Sequence, residues 1–398
     1  MVSSFLHKSI VVDVDERTWP EKSVPTQLKG ASGIHTIDVG GALHMLGTLT
    51  MPNILSPASP ALFWAWLRYF LAPAPSSELR ITMDFSDLDP HQKGVLSDDF
   101  GVAIATKWML DRFGAFTHIV DGRRFANQFT HLLRKKRKSK AKVGMSKAPD
   151  FVMRDATGKW HVLECKGTQT SRDYQRRVLA TAMVQKRALQ LVGSIRGEQL
   201  ASSLYIANEQ DKTSSHLKVV DPDNEEPLIR LTGQHAGEME EKANRLAIAQ
   251  ALGSIGLNEI AVEMTLPPNI DEPNELLLPS ELYRLRSPRE GRVASAKEQV
   301  RARNLNQFMH RHHRYEGRDV EFDLPPRGIH FRFRKARLRQ GVSADLLTEL
   351  AATDGLQEDN VDSQIKPYTA EAGIVLQTRD RQTSLAFGDV FYSELTWS

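Results

Sequence analysis

Alternating apolar and polar positions pick out the first extended stretches of the chain, SIVVDV at 9–14 and GIHTIDVGG at 33–41. The longest apolar block, ALFWAWLRYFLA at 61–72, lacks that alternation and reads as a helix, broken by APAPSS at 72–77. From Ser97 the period lengthens: SDDFGVAIATKWMLDRFG predicts a helix with Ser97 or Asp98 as N-cap, acids in the first turn and Gly114 as its stop. AFTHIVDG at 115–122 is short and β-branched, a strand. PDFVMRD at 149–155 and WHVLECKG at 160–167, joined by the turn residues ATGK, predict a hairpin. A helix follows over 172–192, with Tyr174, Val178, Ala182, Gln185 and Leu189 on one face, and then two strands, SSLYIANE and HLKVVDPD. The order from Ser97 to Asp221 is therefore helix, three strands, helix, two strands.

Beyond that stretch the pattern is less regular. GEMEEKANRLAIAQALGSIG at 237–256 is an amphipathic helix, PPNIDEPNELLLPSE at 267–281 a proline-rich connector, and the arginine-rich segment at 281–315 reads as helix. GIHFRFRKARLRQ alternates as a strand, with Ile329, Phe331 and Phe333 on one face and His330, Arg332 and Arg334 on the other. That basic side suits contact with nucleic acid, or else an edge strand guarded by charge. The last residues, from Ala372, predict an antiparallel pair. The chain divides into an N-terminal α/β region (1–80), a central α/β core (81–228) and a basic, mixed α+β C-terminal domain (229–398). Internal repeats and phosphate-binding or dinucleotide-binding glycine loops are absent.

Composition narrows the class. With 398 residues, 40% hydrophobic and 25% charged, the chain has material for two or three domains and reads as an ordinary soluble protein. Acids near its start argue against a signal peptide, and no apolar run reaches the length of a membrane span. The single cysteine, Cys165, excludes an internal disulfide framework and a Cys-rich zinc site, and fits a reducing cytoplasm. His310, His312 and His313 in HRHHR lack spaced partners for zinc and read as basic surface. The net charge of +3 hides a segregated distribution. Arg134 to Lys147 holds eight Lys or Arg and no acid, beginning with Arg134, Lys135, Lys136, Arg137 and Lys138; Arg284 to Arg339 holds sixteen against six acids. Such segregation suits a polyanionic partner, or else solvated faces.

The hairpin carries the chemistry. Residues two apart in a strand share a face, so Glu164 and Lys166 point the same way, and Asp150 meets them if its strand is their hairpin partner. Two carboxylates at a strand end offer the hard oxygen ligands of Mg²⁺ and leave positions for water and a phosphate oxygen. A nearby ammonium orients the water or binds the phosphate.

Asp150, Glu164 and Lys166, set as PDF(x)12ECK behind an acidic helix, resemble the PD-(D/E)XK nuclease superfamily over roughly 97–221. The resemblance implies a restriction-endonuclease-like core and a metal-dependent DNA endonuclease, of the kind found in prokaryotic genome defence or mobile elements. It implies that Asp150 and Glu164 bind Mg²⁺ or Mn²⁺ with help from the Cys165 backbone carbonyl, and that Lys166 serves the water. An acid on the first helix joins them, Asp99 in preference to Asp98; a first-turn acid at a helix N-terminus is the alternative. Gln185 matches a glutamine found after the lysine strand in some branches, or else bonds backbone. A non-catalytic DNA-binding or scaffolding subunit that kept the fold is the competing class, and RNA cleavage a third. Double-strand cutting with one site per chain would call for a homodimer or a partner subunit.

Overall fold

The computed structural model describes residues 6–19, 23–50, 69–132, 148–221, 227–266, 288–324, 333–352 and 373–398. The basic run from Arg134 to Lys138, the connector at 267–281, Arg332 and most of the apolar block at 61–72 lie outside them. Within them the chain is a mixed α/β protein with several sheets.

The central sheet holds β1 (His7–Val14), β2 (Gly33–Asp38), β3 (Phe116–Asp121), β4 (Phe151–Asp155), β5 (Trp160–Thr168), β6 (Arg196–Tyr205) and β7 (His216–Val220). Their order is β2-β1-β7-β6-β5-β4-β3. Two pairs are parallel, β1 with β7 and β5 with β6; the others are antiparallel. Alternation in β1 buries Ile10, Val12 and Val14. The β4–β5 hairpin closes through Gly158 at φ 83, a left-handed turn position that glycine adopts without a Cβ penalty.

Four helices attend this sheet: α1 (Val39–Leu49), α2 (Pro90–Phe113), α3 (Gly122–Asn127) and α4 (Arg172–Lys186). Leu163, Cys165, Leu200 and Leu204 pack in one cluster with Phe100, Ile104 and Trp108 of α2, whereas Ala201, on the other face of β6, packs with Leu179 and Ala182 of α4. The helix expected from Ser97 begins at Pro90, with Asp89 as N-cap accepting from the His91 and Gln92 N–H groups. Proline at the first helical position is itself a start signal. Asp98 and Asp99 thus lie in mid-helix, where a first-turn dipole role does not apply.

The C-terminal part adds α5 (Ala236–Ser254), α6 (Asn258–Thr265), α7 (Arg289–Arg301) and α8 (Ala344–Ala351). Its antiparallel sheet comprises β8 (Asn306–His310), β9 (His313–Asp323), β10 (Lys335–Ser343), β11 (Ile374–Arg379), β12 (Gln382–Phe387) and β13 (Phe391–Trp397). Two expectations change here. Where helix was expected over 281–315, the described residues are helical only to Arg301 and then enter the β8–β9 hairpin; the terminal pair is a three-stranded meander. No boundary at residue 80 interrupts the sheet, since β1 and β2 are two of its seven strands, and one hydrophobic cluster runs from Leu6 through Cys165 to Trp397. Among the described residues no helix is long and apolar enough to cross a membrane.

Helix α1 joins the two sheets, and all eleven of its residues are buried. Its N-cap Asp38 accepts from the Gly41 N–H at 2.9 Å and from the Thr378 hydroxyl of β11. His44 bridges Ser393 at 2.8 Å and Thr383 at 2.7 Å. Burial pulls its imidazole down to about 3. A histidine depressed in the folded state gives stability that is present above its unfolded value of about 6.5 and lost as pH falls, at about 1.4 kcal/mol per unit. Wild type is expected to lose roughly 2 to 3 kcal/mol more than His44→Gln between pH 7 and 4.5 in urea titrations. Parallel losses in the two proteins would count against it.

Candidate active site

Asp150 sits just before β4, opposite the outer half of β5, and its backbone and side chain both reach across. Its N–H donates to Glu164 Oε2 at 3.0 Å, and its Oδ2 accepts from the Cys165 N–H at 2.7 Å. On β5, Lys166 Nζ donates to Glu164 Oε1 at 2.6 Å. The three residues singled out in the sequence therefore form one hydrogen-bonded group. Glu164 is fully buried, and the Lys166 side chain keeps 21% of its exposure. The Cys165 side chain turns into the core under α2, so only its main chain meets the group.

A fourth residue comes from α2, and it is Asp98 rather than the preferred Asp99. Asp98 Oδ1 accepts from the Gly167 N–H at 3.2 Å. Asp99 is one position, about 100°, further round the helix and accepts from the Tyr69 hydroxyl at 2.7 Å. The approach of α2 depends on two glycines. A Cβ on Gly101 would stand 2.6 Å from the Lys166 carbonyl oxygen, and one on Gly167 would stand 1.6 Å from that of Ser97. Helix backbone thus touches strand backbone at the point where Asp98 meets the Lys166 strand.

Charge within the group is unbalanced. Burial, then repulsion from Asp150, pushes the Glu164 carboxyl up to about 8 against the pull of Lys166. Burial likewise raises Asp150 to about 6, with Asp121 and Asp98 adding to the rise and Lys166 opposing it. Burial alone would lower the Lys166 ammonium, but Glu164, Asp150 and Asp98 together outweigh it and raise the group. Asp121, at the end of β3, was not singled out in the sequence; its strand-end position facing the hairpin is the signal that could have found it.

The other candidates fall elsewhere. Gln185 sits in the last turn of α4, off the buried face, which carries Gln175, Leu179, Ala182 and Lys186. The buried glutamine is Gln175, whose side-chain amide donates to the Ser203 and His216 carbonyls at 2.5 and 2.8 Å. Arg334 is exposed beyond the start of β10, its N–H donating to the Ser398 carbonyl at 2.6 Å. Further along β10, Lys335 pairs with Glu321, and Arg337 and Arg339 pair with Asp319 of β9, so this stretch of the basic face is largely neutralised by its neighbour strand.

A cleft of about 630 Å³ opens beside the group, reaching from Asp98 and Lys166 to the outer face of α4. Among the described residues no set of three or more His, Cys, Asp or Glu side chains is gathered as a ready metal cage. Of the group, Lys166 and Asp98 line the cleft, and the buried Glu164 and Asp150 lie behind Lys166. Comparison of the chain with protein-family models, with curated proteins and with solved structures finds no match.

Proposed function

We propose that the chain is a metal-dependent nuclease of the PD-(D/E)XK type that hydrolyses DNA phosphodiester bonds, with Asp150, Glu164 and Lys166 as its reactive group and Asp98 in the helix-acid role. The observation that carries this reading is the contact of Glu164 with both Asp150 and Lys166, beside a cleft that Lys166 and Asp98 line together. The order of α2, β3, β4, β5, α4 and β6, with β6 parallel to β5, is in keeping with it.

Asp150 and Glu164 would hold a Mg²⁺ or Mn²⁺ ion. When bound, such an ion supplies a more acidic water and charge stabilisation at the phosphate. The chain's own residues do the rest. Glu164 holds the Lys166 ammonium at 2.6 Å, aimed along the face it shares with the carboxylates, where it can orient a water or bind a phosphate oxygen. The Cys165 N–H fixes Asp150 Oδ2, which leaves Oδ1 for the ligand side. Asp98, tethered to Gly167, adds negative charge that favours a cation at the group. A buried lone thiol accords with a reducing, cytoplasmic setting.

Nicking of supercoiled plasmid tests the activity: Mg²⁺ or Mn²⁺ should support it and excess chelator should abolish it, whereas a DNA-binding subunit without chemistry would bind and leave the plasmid intact. Stability tests the metal separately. Acids raised in the folded state give stability that is present below the ordinary carboxylate range and lost as pH rises through about 6 for Asp150 and about 8 for Glu164. A cation that binds their ionised forms offsets that loss. Addition of Mg²⁺ is expected to raise the melting temperature by several degrees at pH 8.5 and hardly at all at pH 5. Equal shifts at the two pH values would exclude a metal at these carboxylates.

A further inference from the structure

Helix α4 lies on the sheet with a mixed buried face, in which Leu179 and Ala182 stand beside two polar side chains. Its buried face carries Gln175 at 2% exposure and Lys186 at 0%, each spent on hydrogen bonds or an ion pair with the sheet side. Tyr174 is 42% exposed, and Val178 and Thr181, at the i+4 and i+7 positions of the same face, join it in lining the cleft. A large ring left in solvent on the wall of a concave site, with an apolar neighbour one turn on, offers a ligand a flat contact surface that the core does not use. The same cleft is lined by Lys93 and Lys166, cations suited to a phosphate, with Asp98 and Asp211 as its acids. Its volume, about 630 Å³, is in the range that encloses a molecule of one or two nucleotides and is far too small for a double helix.

We propose that the cleft takes a single unpaired strand, with a base stacked on Tyr174 and packed against Val178 next to the phosphate held at Lys166. This rests on the nuclease reading and specifies its substrate as single-stranded DNA, or a single-stranded end or bubble within a duplex. Aromatic faces accept any base, so the stack holds the strand without reading its sequence. The ring supplies the platform and the hydroxyl is dispensable, which gives the Phe variant its use as a control.

The test is equilibrium binding by the full chain, without metal, to a fluorescein-labelled single strand and to a blunt duplex of the same length, together with 2-aminopurine emission from a base within the strand. Wild type is expected to bind the single strand more tightly than the duplex and to quench 2-aminopurine. Tyr174→Ala should weaken single-strand binding about tenfold or more and lose the quenching, and Tyr174→Phe should stay within about twofold of wild type. Tyr174 is exposed, so the Ala variant should keep the wild-type melting temperature, which is measured alongside. Unchanged binding in Tyr174→Ala, preference for the blunt duplex, or no binding of either nucleic acid would overturn the inference. Plasmid nicking keeps the two readings apart: Tyr174-dependent strand binding without metal-dependent cleavage would sustain this site and sink the catalysis, whereas duplex cleavage that Tyr174→Ala leaves intact would do the reverse.

Discussion

Lys166→Ala is expected to lower metal-dependent nicking by about 1,000-fold while the protein stays folded. The ammonium is the cation that Glu164 contacts directly, at 2.6 Å, and it faces the cleft with part of its surface in solvent. Its loss removes the group that orients water or phosphate. It does not strand a buried charge, because burial and Asp150 already favour the protonated form of Glu164 at pH 7. Melting temperatures within a few degrees of wild type, measured at pH 7, should accompany the lost activity. A well-folded Lys166→Ala protein that nicks plasmid at the wild-type rate would sink the site assignment.

The largest stability effect is expected from Lys186→Met, about 3 to 5 kcal/mol in chemical denaturation at pH 7. Lys186 and Asp221 pair at 2.7 Å with side-chain exposures of 1% and 3%, and Asp221 also accepts from the Gln199 N–H at 3.2 Å. Methionine keeps the volume but leaves a carboxylate that burial already pushes upward without its cation. Asp221→Asn in the same background keeps an acceptor for Gln199 and removes the charge, so the double variant should recover more than half of the loss. A single-variant cost under about 1 kcal/mol would show that the pair is not the strong point taken here.

The hairpin with Asp150, Glu164 and Lys166 was legible because strand periodicity and a tight turn act over a few residues. The strands β1, β3 and β7 were legible on the same local terms, and β6 only from Ser202 on, since it begins at Arg196. Phase and partnership were not. Asp98 and Asp99 differ by one residue of helix rotation, and only the glycine contact between Gly101, Gly167 and the facing backbone decides which of them meets β5. The helix expected over 172–192 ends at Lys186, and its expected core face is split: Tyr174 and Val178 line the cleft, Ala182 is core, and Leu189 lies in a short strand beyond the helix, while Gln175 and Lys186 find partners on the sheet side that no local pattern reveals. The β8–β9 hairpin was hidden by arginine content and by a break in phase, since Tyr315 falls out of step with Val320 and Phe322. The parallel pairing of β1 with β7 joins residues some two hundred positions apart and removes the boundary expected at residue 80.

Helix α1 bears on how the chain is made. Its partners Ser393 and Thr383 lie 349 and 339 residues later, and the Thr378 hydroxyl that meets its cap lies 340 later. At about 5 to 20 residues per second of synthesis, VGGALHMLGTL waits roughly 20 to 70 s on the ribosome before residues 374–397 exist to cover it. Throughout that interval only the face of this uncharged apolar helix that packs on α2 and the early strands can be covered, and the face meant for β11 to β13 stays open to chaperones and to other nascent chains.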